Sequence, residues 1–202
     1  MKEALGRFLY EDLSDIADHI KGPYDHLLTE DDKIAIYYYS TDRSLTINNA
    51  LRTNQWEDES HLKIVQQLER ALSKLPVDES KLLIRWQNFD HLPQPPQVGD
   101  IIFCPGFVST SCNLDFEFYK KKNYKLLILH NDGRYISPYS SIPSEAEVLI
   151  NRNNFFEIKK ICDRTLLMKQ LDIAELTIYC MKDLNHINSK NTDLVGEFYD
   201  KT

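Results

Sequence analysis

No run of apolar residues in this chain approaches the ~20 that a membrane-crossing helix needs, so no transmembrane segment or membrane partner is expected. The opening Met1-Lys2-Glu3-Ala4-Leu5-Gly6-Arg7 lacks the apolar stretch of a secretory signal peptide. The expectation is a protein that acts in a cytoplasm. If it leaves its own cell, it would do so without such a signal or as part of a larger polypeptide. Cysteine is scarce: Cys104, Cys112, Cys162 and Cys180 match no zinc or redox spacing, and no histidine cluster completes a metal site. No metal is therefore expected, and a reducing compartment is the simpler reading. A surplus of positive charge is missing as well. With 24 Lys+Arg against 31 Asp+Glu the formal net charge is -7, which argues against nucleic acid or an anionic lipid surface as the main partner. The one short basic run is Lys120-Lys121-Lys122. There is no internal repeat and no low-complexity segment.

What is present suits one ordinary folded domain spanning 1–202, of which 42% is hydrophobic and 27% charged. Residues 1–80 read as mainly helical. Leu9, Leu13, Ile16 and Ile20 recur at helical spacing, as do Leu62, Val65, Leu68, Leu72 and Leu75. Between them lies the apolar-aromatic run from Ile34 to Tyr39, closed by Ser40-Thr41-Asp42 as a turn or cap, and then a short helix from Ser44 to Arg52. Residues 81–184 read as a β-rich core. Its strand candidates are Leu82 to Trp86, then 100–104, 107–111, 124–130, 134–137, 145–150, 155–161 and 174–181, with a proline-stiffened loop at 93–96. Helices first and strands after make this an α+β domain, because few helical patterns interrupt the strands. Residues 185–202 form a polar tail.

Three features carry chemistry. On a strand, Glu145 and Glu147 would share one face with their Cα atoms about 6.6 Å apart. Paired carboxylates perturb each other's ionisation, and a carboxylate beside a breaking glycosidic bond stabilises positive charge. The alternative is a solvated strand face. Phe107-Val108-Ser109-Thr110-Ser111 sets three hydroxyls at a strand end, where they can hydrogen-bond a carboxylate or a sugar. Arg85 interrupts an apolar run, and its fork of donors suits a phosphate or a structural salt bridge.

Arg on a first strand, then aromatic-x-Ser-Thr-Ser, then Glu-x-Glu at a later strand resembles the Arg-Ser-Glu class of mono-ADP-ribosyltransferases. That class includes actin-modifying binary toxins and arginine-specific ectoenzymes. The likeness runs on through Val98-Gly99-Asp100-Ile101-Ile102, Gly133-Arg134-Tyr135-Ile136 and Val148-Leu149-Ile150, spanning about Tyr39 to Ile161. It implies a helical part packed on two facing, mostly antiparallel sheets with NAD, the substrate, in the central cleft. It further implies that Arg85 grips the NAD phosphates and that Ser109 orders Glu147 and the nicotinamide ribose, with Thr110 and Ser111 supporting the pocket. Glu147 would counter the charge that grows as nicotinamide leaves, and Glu145 would orient or deprotonate an acceptor arginine on a target protein. Tyr39, Asn48, Trp86 and Phe116 would line the NAD site. Tyr139 and Ile142 would meet the target, and Lys120 to Lys122 stand in for a second phosphate contact. The implied protein is an effector or toxin. A NAD glycohydrolase, or a transferase using a non-arginine acceptor, remains open as an alternative.

Overall fold

The computed structural model describes residues 1–56, 60–89, 92, 94–117, 122–172 and 174–176. Five helices come first: α1 (Lys2–Leu5), α2 (Arg7–His19), α3 (Glu30–Tyr39), α4 (Arg43–Thr53) and α5 (Ser60–Lys74). The centre of this layer is α3, whose apolar second half, from Ile34 to Tyr39, is buried on nearly every side, together with Asp32 and Lys33 of its charged first turn. Its start is set by a capping box in which Asp32 N–H donates to Thr29 Oγ1 and Thr29 N–H donates to Asp32 Oδ2. Asp32 is itself buried, and it is held there by Lys74 and by Gln67 Nε2, which donates at 2.8 Å from α5. Burial alone would push the Asp32 carboxyl up, but Lys74 and Thr29 outweigh it and hold the group below the usual range.

Eight strands follow: β1 (Leu83–Gln87), β2 (Ile101–Cys104), β3 (Val108–Ser111), β4 (Tyr124–Leu129), β5 (Arg134–Tyr135), β6 (Glu147–Ile150), β7 (Asn154–Cys162) and β8 (Thr165–Gln170). Their order is β2-β7-β8-β4-β1-β3-β6-β5, and every neighbouring pair is antiparallel except β4–β8. The two expected sheets are continuous in hydrogen bonding, but the join is thin: β1 and β3 share the single register pair Ile84↔Ser111. Alternation then serves two cores at once. On β6, Val148 and Ile150 enter the core made by both flanks of the sheet, with Leu126, Ile128, Phe156 and Met168. Leu149 points the other way, into the core shared with the helices.

Three expectations need correction. Strand β6 begins at Glu147, and Glu145 ends a 3-10 turn, Pro143–Glu145, so the two glutamates are not alternate residues of one strand. The expected strand at 134–137 ends at Tyr135, because Ser137 opens a second 3-10 turn, Ser137–Tyr139. Residues 174–176 of the expected strand 174–181 are helical. There Asp172 N–H donates to Glu175 Oε2 and Glu175 N–H donates to Asp172 Oδ1, a capping box that starts a helical turn. Residues 177–181, the tail 185–202, Cys180, Lys120 and Lys121 lie outside the described residues.

Candidate active site

The register of β3 on β6 sets Ser111 opposite Glu147 and Ser109 opposite Leu149. Ser109 is thus the diagonal neighbour of Glu147, within side-chain reach, and its Oγ donates to Glu147 Oε1 at 2.6 Å. Thr110 ties the same two strands by donating its hydroxyl to Val148 O at 2.5 Å. From β1, Arg85 NH1 donates to Ser109 O at 2.7 Å, while its Nε and NH2 both meet Gln87 Oε1, at 3.3 and 3.2 Å. Arg85 and Gln87 are alternate residues of one strand and share a face. Gln87 is fully buried, and its amide donates to Asn88 O at 3.1 Å. Arg85, Ser109 and Glu147 therefore form one connected unit across three strands.

Glu147 is buried, and that burial pushes its carboxyl up to about 7. The Glu145 charge adds to the rise; the Ser109 bond and the Arg85 charge oppose it. The half-buried Glu145 carboxyl is also raised by burial. It reaches the same cleft by a different backbone path from the one expected. Ala146 takes the left-handed conformation, φ 49°, uncommon for a residue with a Cβ, and turns the chain from the 3-10 turn into β6. Side-chain ties hold this path. Ser111 Oγ donates to Glu145 O at 2.7 Å, Ser137 Oγ donates to Pro143 O at 2.7 Å, and Glu147 N–H donates back to Ser137 Oγ at 3.1 Å. Ser141 N–H donates to Ser40 Oγ at 2.7 Å and Ser141 Oγ to Ser40 O at 2.6 Å, binding the loop to the end of α3.

The carboxylates and Arg85 face a cleft of about 430 Å³, a size usual for small-molecule sites. Tyr39, Trp86, Ser109, Thr110, Ser111, Phe116 and Ile142 line it too. Trp86 Nε1 donates to Phe116 O at 3.0 Å, fastening the loop after β3 to β1. Two expected site residues lie elsewhere. Asn48 is buried beneath the site: its Nδ2 donates to Tyr39 O–H at 2.9 Å and to Phe107 O at 3.3 Å, and its Oδ1 accepts from Phe107 N–H at 3.0 Å. It braces Tyr39, whose ring meets Phe107 edge-on at 5.2 Å. Gly106 is required here, because a Cβ would stand 2.6 Å from Asn48 Oδ1. Tyr139 is no surface contact. It is fully buried in the helical core, and its hydroxyl accepts from Tyr24 N–H at 2.7 Å. Its ring is packed so tightly on Gly22 that a Cβ there would stand 2.5 Å away.

The cleft also has lining that the motifs did not reveal: Ser40, Thr41 and Asp42 from the α3–α4 turn, Ser44 and Leu45 from the start of α4, with Ile84 and Ser141. The only sequence signal for the turn was its polar closure of the Ile34–Tyr39 run. Of the basic run at 120–122, Lys122 is described, and it stands in the wall of this cleft, where it was expected. Among the described residues no group of three or more His, Cys, Asp or Glu could hold a metal ion, and no helix is long and apolar enough to cross a membrane.

Comparison with known proteins bears on the family and the fold. The family model described as ADP-ribosyltransferase exoenzyme matches residues 9–179. Among solved structures, the chain is similar to the ADP-ribosyltransferase Vis, a toxin of Vibrio splendidus, at 22% identity and TM-score 0.62 over 86% of each chain. It is similar to the Paenibacillus larvae toxin Plx2a at 18% identity and TM-score 0.63, over 81% of this chain and 96% of that one. It is likewise similar to the ADP-ribosyltransferase HopU1 of Pseudomonas syringae, at 21% identity and TM-score 0.64, over 81% and 88%. No curated protein sequence matches this chain.

Proposed function

The chain belongs to the ADP-ribosyltransferase exoenzyme family, and from that premise we propose that it moves ADP-ribose from NAD to an arginine side chain of a target protein, releasing nicotinamide. The observation that carries this reading is the linked set Arg85–Ser109–Glu147 at the floor of a cleft that also receives Glu145. The cleft suits NAD in volume, in the cation it offers to a pyrophosphate and in the aromatic wall of Tyr39, Trp86 and Phe116.

The chemistry follows from where the charges sit. As the glycosidic bond to nicotinamide lengthens, positive charge grows on the ribose, and an ionised Glu147 is a counter-charge already in position. Ser109 fixes which Glu147 oxygen turns to the ribose. Arg85, braced by Gln87, holds the phosphates so that the sugar is presented to Glu147. Glu145, on its own turn, is free of that task. It can hold an acceptor guanidinium with both oxygens and take a proton from it as the new bond to the ribose carbon forms. A raised carboxyl pKa favours such a base, since a stronger base draws the guanidinium proton more readily. The biological setting we infer is that of an effector or toxin working in a cytoplasm, since the family is one of exoenzymes.

The test separates the two glutamates. With labelled NAD and agmatine as a small guanidinium acceptor, Glu145→Gln should lower agmatine labelling by about a hundredfold or more while nicotinamide release to water continues within a few fold. Glu147→Gln should abolish both. Equal loss of transfer and hydrolysis in Glu145→Gln would sink the division of roles. Hydrolysis by the native protein with no labelling of agmatine or of any protein would point to a glycohydrolase.

A further inference from the structure

The two glutamates are held in different ways. Glu147 is fixed through its side chain, by the bond from Ser109. The Glu145 carboxylate accepts no hydrogen bond from a described residue, so its backbone decides where it stands. Burial does not pin that backbone, because Ile142, Pro143 and Ser144, which lead into Glu145, are exposed. The turn closes on itself, with Glu145 N–H donating to Ile142 O at 3.1 Å, but that bond moves with the turn. Serine hydroxyls anchor it. Ser111 holds the carbonyl of Glu145, Ser137 holds that of Pro143, and Ser40 holds the start of the loop at Ser141. The first two also serve Glu147: Ser137 Oγ accepts the Glu147 N–H, and Ser111 lies opposite Glu147 on β3. The Ser40–Ser141 tie makes no bond to Glu147 or to its strand. It ends instead in α3, where Ser40 Oγ donates to Tyr37 O at 2.9 Å and Ser40 N–H to Ile36 O at 3.0 Å.

We propose that Ser40 and Ser141 are positioning residues for the transfer step: their tie sets Glu145 where an acceptor guanidinium meets the ribose carbon, and it serves transfer rather than the departure of nicotinamide. The inference rests on the arginine reading above. The two steps ask different things of the site. Nicotinamide leaves with the electron pair of the glycosidic bond, and the ribose then needs a counter-charge beside it. The Arg85–Ser109–Glu147 unit supplies that through bonds of its own, which do not pass through Ser40 or Ser141. In transfer a guanidinium nitrogen bonds the ribose carbon while its proton passes to Glu145. Base, nucleophile and carbon must then be aligned, and a shift of about 1 Å is costly. Both bonds of the tie run between a hydroxyl and the backbone. They hold the loop without bringing a charge that would compete with the guanidinium for Glu145.

The experiment uses the full chain at saturating NAD. Label transfer to agmatine is measured, and nicotinamide release is measured separately with no acceptor present. The readout is the ratio of the two rates, which a general loosening of the fold would leave unmoved. In the double variant Ser40→Ala/Ser141→Ala, which loses both bonds, the ratio should fall about tenfold. Ser141→Ala tests the tie without touching α3. It keeps the N–H bond to Ser40 Oγ, so its ratio should lie between the native and the double-variant values. Ser141→Thr retains the hydroxyl and should stay within about twofold of the native ratio. A native ratio in both alanine variants, whether their two rates hold or fall together, would overturn the tie's role and leave the arginine reading standing. A Ser141→Thr ratio as low as that of Ser141→Ala would overturn it too, since the hydroxyl would not be the cause. A native protein that releases nicotinamide yet labels neither agmatine nor any protein would overturn the arginine reading, and the tie's role with it.

Discussion

The guanidinium of Arg85 has several rotatable bonds, and what fixes it is a neighbour two residues along its own strand. Gln87 Oε1 accepts from Nε and NH2 together, which turns NH1 toward Ser109 O. An amide at this position orients the guanidinium without adding a carboxylate's charge, so its attraction for phosphate is not weakened by that neighbour. Gln87→Leu keeps the bulk and removes the brace. The expected result is a rise of about tenfold in KM for NAD with kcat changed less than threefold, since binding in the ground and transition states is lost alike. Steady-state kinetics as a function of NAD would check this. A fall in thermal stability with KM unmoved would mean that Gln87 only fills the interior.

At the scale of elements, the strand-borne residues were the legible ones. Arg85, Ser109 and Glu147 sit where strand patterning put them, because side-chain direction on a strand follows from parity alone. Glu145 was misread for the same reason: parity assumes an unbroken strand, and the left-handed Ala146 breaks it. Asn48 and Tyr139 were misplaced because a polar residue on a helix, or a tyrosine near a loop, does not announce whether it faces a cleft or a core. Strand β8 was missed since Leu167 spoils its alternation, and the apolar residues after Asp172 drew the strand assignment downstream. The corrected role of Asn48 has a consequence of its own. It couples α4 to the turn between β2 and β3 through two buried hydrogen bonds with Phe107, and to α3 through a third with Tyr39. Asn48→Ala should destabilise the ligand-free protein by about 2–3 kcal/mol, the cost of leaving the Phe107 N–H without its acceptor. Urea unfolding measures this directly. A residue that merely touched NAD would leave the free protein's unfolding midpoint where it was.

Stability of the whole molecule is where the site's cost becomes visible. Glu147 carries a carboxyl raised from 4.5 to about 7, so between those values the folded protein holds a proton that the unfolded chain has released. Stability therefore falls as pH rises across that window, by on the order of 3 kcal/mol in total, and levels off above it. Asp32 has the opposite sign: its lowered carboxyl contributes stability that is present above about pH 4 and lost as acid protonates it. The two effects leave the fold most secure in mildly acidic solution. The proposed reaction, in contrast, needs Glu147 ionised, so NAD cleavage should rise with pH through about 7 as the fold loosens. Glu147→Gln removes the ionisation and keeps the shape. At pH 8 it should stabilise the protein by on the order of 2–3 kcal/mol, and at pH 5 by little, because the native glutamate is already neutral there. Urea titrations of both proteins at the two pH values decide the matter. A stability difference that does not change with pH would mean that Glu147 titrates as an ordinary carboxylate and that burial does not govern its charge.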